Sequence, residues 1–216
     1  MKTLVILIFL AGFSLEVFGY ESERVVLEVP VVKQGKQLCG PATLQMIFQY
    51  WGESDYDQYD IAKSMLNQFS GSQRYIKSGI LRGTPIDWSK YPGTGTINMR
   101  EFLKRFGRVK NVMLENEPAS PSEPERLFNK VRESVYNGAP VIVHQYWSGV
   151  GSNGHYRIVT GYDDKKRIIY LNDAHGGVRV TQTYDEFMMK WNFNQRWLHY
   201  NAIFFEPTST PLNATL

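Results

Sequence analysis

Cys39 carries the most reactive side chain of this sequence, and it is the only cysteine among 216 residues. A thiol attacks as the thiolate, and a free thiol titrates near ~8.5, so a nucleophilic cysteine needs a feature that lowers its pKa. Cys39-Gly-Pro41 precedes apolar residues at helical spacing, and proline suits the first turn of a helix. Cys39 is therefore predicted at or just before a helix N-terminus, where the helix dipole favours the thiolate. Burial statistics alone support an inert, buried thiol equally well.

A histidine is the expected base for such a thiol, and the chain has four. His155 follows the glycine-containing run 149–154 and opens the strand pattern HYRIVTGYDD, a position that is both fixed and accessible. His144 and His199 lie within aromatic strand patterns, where a structural role is favoured. We predict that His155 is the general base.

Asp173 is the predicted partner of the second nitrogen of His155, because a basic imidazole needs an orienting acceptor. The residue ends the strand pattern RIIYLND, and a hairpin through 163–166 would return its carboxylate to the level of His155. The competing interpretation is that Asp173 only starts the turn at His175-Gly-Gly, a common use of aspartate.

Two glutamines in the loop before Cys39 are candidates for stabilising an oxyanion. A side-chain amide beside the backbone N–H of the nucleophile would donate to the negative oxygen of a tetrahedral intermediate. Gln34 is the preferred donor and Gln37 is its rival. An exposed glutamine in a loop more often has no role beyond contact with solvent.

The elements that must position these residues follow from hydrophobic periodicity. Helices are predicted first and strands later, which indicates an α+β fold with an N-terminal helical half and a C-terminal antiparallel sheet. An entry strand is predicted at 24–32 and a long surface excursion at 70–95. Helices are predicted at 42–51, 58–67, 98–106, 123–137 and 184–191, and strands at 141–147, 155–162, 167–172 and 200–206.

Composition excludes several classes of protein. A hydrophobic content of 43% fits one full-sized core, and a net charge of +3 is too small and dispersed for a nucleic-acid groove. A single cysteine cannot form a zinc finger, an iron–sulfur site or an internal disulfide. Gly149, Gly151 and Gly154 match a dinucleotide fingerprint, but a β-branched segment follows instead of a helix, so nucleotide binding is rejected. No cofactor or metal is expected.

The N-terminus is typical of an export signal. Lys2 precedes an apolar run at 4–13, so residues 1–19 are predicted to be a signal peptide, or an uncleaved anchor that would associate with a membrane. The protein is expected to be secreted or periplasmic. Residues 20–207 form the predicted single domain, and 208–216 a flexible tail.

Three segments together resemble a known family. VPVVKQGKQLCGPATLQM, GHYRIVTGYDD and IYLNDA, in this order, are similar to the bacteriocin-processing, double-glycine leader peptidases and their free-standing relatives. The resemblance covers about 29–51 and 140–174. It implies the papain-like cysteine peptidase fold and no cofactor.

The resemblance also implies roles for single residues. By position, the nucleophile, the general base, the orienting acid and the oxyanion donor correspond to Cys39, His155, Asp173 and Gln34. Two features depart from the pattern: Gln34 stands five residues before Cys39 where six is frequent, and Ala174 follows Asp173 where proline is common.

The expected reaction is hydrolysis of a peptide bond in a peptide or protein through a thioester acyl-enzyme. A preference for double-glycine leaders is not expected, because the leader peptidases usually precede an exporter and this sequence has no transporter or nucleotide-binding motif. Two alternatives remain: a transacylase, in which an amine replaces water, and a catalytically silent binding module with the same fold.

Overall fold

The computed structural model describes residues 23–82, 85–114, 122–195 and 197–209. The predicted signal segment 1–19 and the greater part of the predicted tail 208–216 lie outside these ranges, so both stay predictions. In the described ranges, no helix combines the length and the apolar character required to cross a bilayer.

Six α-helices and seven strands are described in this part of the chain. The helices are α1 Cys39–Tyr50, α2 Gln58–Gln68, α3 Gln73–Ser78, α4 Thr96–Leu103, α5 Ser122–Tyr136 and α6 Tyr184–Trp191. The strands are β1 Arg24–Val26, β2 Gly107–Leu114, β3 Val141–Tyr146, β4 Gly154–Asp163, β5 Ile168–Asp173, β6 Val178–Thr183 and β7 His199–Pro207. All pair antiparallel in one sheet of order β2-β7-β3-β4-β5-β6, with β1 added to β4. The α+β class with an antiparallel sheet is confirmed.

The sheet buries both of its faces, because successive side chains of a strand point to opposite sides. Ile142 and Ile158 pack in one core with residues of α1, α2 and α4. Val143 and Val159 belong to a second core with residues of α5 and α6. The central strands β3 and β4 are therefore held between two layers of helices, which makes them a rigid support for side chains at their ends.

Two strands were not expected from the sequence. β2 follows α4 directly and pairs with β7, so the predicted helical half contributes a second strand besides the entry strand. β6 follows the turn after Asp173 and pairs with β5. Both strands lie at edges of the sheet, and β6 is largely exposed, so their charged and polar side chains obscure the apolar alternation that marks a strand.

Two further predictions are corrected. The segment 70–95 is not simply a surface excursion: it contains α3 and two short 3-10 turns, and Tyr75, Ile80 and Tyr91 pack around Leu38 in a small core. The entry strand ends at Val26 instead of residue 32.

We expect Gly161→Ala to weaken the attachment of β1. A bulge lies between Val159 and Gly161, and an added Cβ at Gly161 would stand 2.4 Å from the carbonyl oxygen of Val25. Overpacking of this kind costs about 1–3 kcal/mol, measurable as a lower midpoint in urea unfolding. Gly149→Ala is the matched control, since no atom lies within 4 Å of its added Cβ. Equal midpoints for both variants would contradict the expectation.

Candidate active site

The thiol of Cys39 stands at the first residue of α1 and is half-buried. Gly40 permits this placement, because a Cβ there would lie 2.8 Å from the Cβ of Thr94. The helix begins at Cys39 as predicted, and the backbone N–H groups of Cys39 and Gly40 lower the pKa of the thiol.

Strand β4 meets the start of α1 at the sulfur. The backbone N–H of Tyr156 lies near the sulfur of Cys39 and lowers the pKa of the thiol, and the Tyr156 hydroxyl donates to the Thr94 carbonyl oxygen at 3.2 Å. His155 immediately precedes Tyr156 in the strand, so the backbone that carries the imidazole lies beside the thiol. Cys39, His155 and Gln34 line the same cavity, of about 350 Å³.

His155 and Asp173 form a buried pair, with Nε2 and Oδ1 2.7 Å apart. An ionised carboxylate can only accept, so Nε2 carries the hydrogen and Nδ1 is left as the basic nitrogen. Oδ1 also accepts the backbone N–H of His175 at 2.8 Å. Asp173 therefore starts the turn and contacts the histidine at once, and the two roles considered from the sequence do not compete.

The surroundings of Asp173 favour its charged form. Burial alone would raise the pKa of Asp173, but the hydrogen bond from His155 and the charges of His155 and Arg157 lower it below its usual range. The carboxylate is consequently ionised at any pH at which the protein is expected to work.

The pKa of the Cys39 thiol differs from the lowered value that was predicted for a cysteine at a helix start. The N–H groups of Tyr156, Gly40 and Cys39 lower the pKa of the Cys39 thiol, but burial of the sulfur raises it by more, and the charge of Asp173 adds to the increase. The pKa of Cys39 lies above its ordinary value. Desolvation favours the neutral thiol, so the prediction of a lowered pKa was wrong because it omitted the packed sheet.

Gln34 is half-buried in a loop that other residues hold in place. Its backbone N–H donates to the carbonyl oxygen of Ala174 at 2.7 Å, and its Oε1 finds no donor within the described part of the chain. Gln37 lines the same cavity but is exposed, with a φ of 62°. Both glutamines remain within reach of the cavity, and Gln34 has the more restricted position.

Sequence reasoning missed three polar residues that build this site. Gln58 accepts from the N–H of Gly35 at 2.7 Å and donates to the carbonyl oxygen of Lys33 at 2.9 Å, so it clamps the loop of Gln34. Asn172 donates to the carbonyl oxygen of Val29 at 3.0 Å. The third, Arg157, contacts Asp173. A polar residue inside an apolar strand pattern, as for Asn172 and Arg157, was the only signal that the sequence offered.

Two other histidines have structural surroundings. Burial, and secondarily the charge of His155, lowers the pKa of His144 to about 3, so this ring is neutral among Tyr156 and Phe193. His199 contacts Asn192 at 3.0 Å. Across the described ranges, no group of three or more His, Cys, Asp or Glu side chains is arranged to hold a metal ion.

Comparison with known proteins gives one family and a set of similar structures. The model of the Peptidase_C39 like family matches residues 26–203. A solved structure from Bacillus anthracis, described as a C39-like peptidase, is similar with a TM-score of 0.52 and 16% identity, over 87% of this chain and 100% of that one. Xylellain, a cysteine protease from Xylella fastidiosa, gives a TM-score of 0.44 and 12% identity, over 87% of each chain. No curated protein matches significantly. The fold is papain-like, as the sequence predicted.

We expect Cys39 to be alkylated slowly at neutral pH. Its pKa is raised above that of a free thiol, so the thiolate fraction is small and increases about tenfold per pH unit up to that raised pKa. The rate of reaction with iodoacetamide, followed by mass spectrometry from acid to alkaline pH, should rise throughout and stay below that of N-acetylcysteine. A fast rate that is already constant near about pH 6 would instead show a resting thiolate–imidazolium pair.

Proposed function

The chain belongs to the Peptidase_C39 like family, and from that premise we propose that it is a cysteine peptidase with Cys39 as its nucleophile. The observation that carries the proposal is the pair of His155 and Asp173, whose Nε2 and Oδ1 atoms lie 2.7 Å apart. His155 immediately precedes Tyr156, whose backbone N–H lies near the sulfur of Cys39. A nucleophile, a base and an orienting acid around one cavity are the minimum for acyl transfer.

In the first half of the reaction, the sulfur attacks the carbonyl carbon of a peptide bond while its proton passes to Nδ1 of His155. Nδ1 can take this proton because Nε2 already donates its hydrogen to Asp173. Asp173 stabilises the imidazolium that forms, through the bond to Nε2. The C–N bond then breaks, the imidazolium returns its proton to the leaving amine, and a thioester on Cys39 remains.

In the second half, His155 takes a proton from water, and the hydroxide adds to the thioester carbonyl. Cleavage of the C–S bond releases the carboxylic acid, and the proton held by His155 returns to the sulfur. During both halves a negative oxygen forms on the substrate. The backbone N–H of Cys39 and the side-chain amide of Gln34, which donates through Nε2, are the proposed donors to it, supported by the cavity that both residues line.

A second candidate is a catalytically silent binding module. The raised pKa of Cys39 favours it, because a neutral thiol is a weaker nucleophile than a thiolate. The ordered pair of His155 and Asp173 favours the peptidase, since a silent module has no need of an imidazole that a carboxylate orients beside the cavity of the thiol.

We further propose that the domain is exported under the direction of residues 1–19 and acts on peptides or proteins outside the cytoplasm. Processing of bacteriocin leaders is the finer relationship suggested by the motifs, and the proposal is made for the broader class of peptide and protein substrates. The N-terminal mass of the protein recovered from the periplasm or the medium tests export: an N-terminus at Met1 in the cytoplasm would overturn it.

Cleavage of a quenched fluorescent peptide library tests the reaction. The wild-type protein should cleave members of the library, and Cys39→Ala or His155→Ala should reduce kcat by about three orders of magnitude or more, because each removes an essential group. The same variants should retain the wild-type Tm within a few degrees. Absence of both cleavage and labelling by a thiol-directed peptide probe would leave the binding module as the function.

The peptides cleaved in that experiment also test the oxyanion donor. Gln34→Ala should lower kcat by about 10²–10³, the effect of removing one such donor. Gln37→Ala is the matched control in the same loop and should leave kcat near that of the wild type. The reverse ranking would assign the donor to Gln37.

A further inference from the structure

Arg157 is a buried cation for which the proposed reaction has so far given no role. It lies on β4 two residues after His155, is 4% exposed, and stands directly opposite Asp173 in the pairing of β4 with β5. Its Nε donates to Oδ2 of Asp173 at 2.8 Å. The rest of the guanidinium donates to Oε1 of Gln145 at 3.2 Å, to the carbonyl oxygen of Tyr146 at 3.2 Å and to that of Trp147 at 2.7 Å.

The contact with Asp173 fixes the second oxygen of a carboxylate whose first oxygen already faces the base. Oδ1 accepts from Nε2 of His155 and from the N–H of His175, and Oδ2 accepts from Arg157. Rotation of the carboxylate would break all three bonds. The guanidinium therefore removes the remaining freedom of the group that orients the imidazole.

The other side of Arg157 fixes the wall of the cavity. The two carbonyl groups that it binds belong to the last residue of β3 and the first residue of the loop that follows. Trp147 lines the cavity with its side chain 43% exposed, and its ring lies 4.8 Å from that of His175. A single buried side chain thus connects the acid of the site to an exposed aromatic residue at its rim.

We propose that Arg157 is a positioning residue, which orients Asp173 towards His155 and holds the Trp147 rim of the cavity in a fixed position. The proposal rests on the peptidase function proposed above. A lysine at this position would keep the positive charge but lose the planar fork that reaches the carboxylate and the carbonyl groups together. Arg157→Lys therefore separates orientation from charge.

The first test does not need turnover. In Cys39→Ala protein, proton NMR should show a slowly exchanging ring N–H of His155, assigned by its absence in His155→Ala. Adding Arg157→Lys should speed its exchange with water by about tenfold or more, because a carboxylate that is free to rotate protects the ring N–H less. The exchange of the backbone amides of Val159 and Leu171 in the sheet core should not change, whereas general loosening of the fold would accelerate both.

The matched control is Arg179→Lys, because Arg179 also lies on a strand and pairs with a carboxylate, that of Glu28, at 2.9 Å, but is exposed. It should leave the His155 resonance unchanged. Unaltered exchange of the His155 N–H in a folded Arg157→Lys protein would overturn the proposal.

The second test uses a peptide that the wild type cleaves. Arg157→Lys should lower kcat by about tenfold or more with Tm still well above the assay temperature, while Arg179→Lys should not. Failure of the wild type to cleave any peptide rejects the peptidase but leaves the NMR result valid. Cleavage by both variants at the wild-type kcat rejects the role of Arg157 alone.

A measurement on the wild-type protein decides the question if Arg157→Lys does not fold. The Nε–H of Arg157 should exchange with water at least about tenfold more slowly than that of Arg179, because the bond to Asp173 protects it. Equal exchange rates would mean that Arg157 is not held on the carboxylate, and the proposal would fail.

Discussion

The charge of Asp173 is the constraint around which the site is organised. A lone carboxylate in the interior of a protein costs several kcal/mol, so it must be paired and hydrogen-bonded to remain charged. Here the partners come from the neighbouring strand and from the turn that follows: the imidazole of His155, the guanidinium of Arg157 and the N–H of His175. The register of β4 with β5 is what brings these groups to the same carboxylate. A shift of one residue would turn Arg157 to the opposite face of the sheet.

The remaining parts of the site are attached to this hairpin. Tyr156 of β4 has its backbone N–H beside the sulfur of Cys39, at the start of α1. Ala174, the residue after Asp173, accepts the N–H of Gln34 and so fixes the loop before α1. The four residues singled out in the sequence, far apart in the chain, thus depend on one pair of strands. The two layers of helices keep that pair rigid by burying both faces of the sheet.

Local patterns were enough to predict α1, α6 and the β4–β5 hairpin, because helical spacing and turn residues depend on near neighbours. Edge strands β2 and β6 were missed since their exposed faces carry charge. Local sequence patterns could not predict the roles of Arg157 and Gln58, nor the pKa of the Cys39 thiol. Gln58 acts on a loop more than 20 residues away, and the pKa of Cys39 depends on how much water the folded sheet excludes. A helix start favours the thiolate in any sequence, but only the tertiary structure determines whether desolvation outweighs it.

The raised pKa of the Cys39 thiol also has a consequence for how long the protein resists oxidation. Peroxides and disulfides react with thiolates far faster than with thiols, and the sulfenic acid that forms is normally rescued by a neighbouring cysteine. This chain has no second cysteine to perform that rescue. By raising the pKa of Cys39, burial against the sheet keeps the sulfur in its less oxidisable form between encounters with substrate. The packing that makes the Cys39 thiol less reactive thereby also protects it from oxidation.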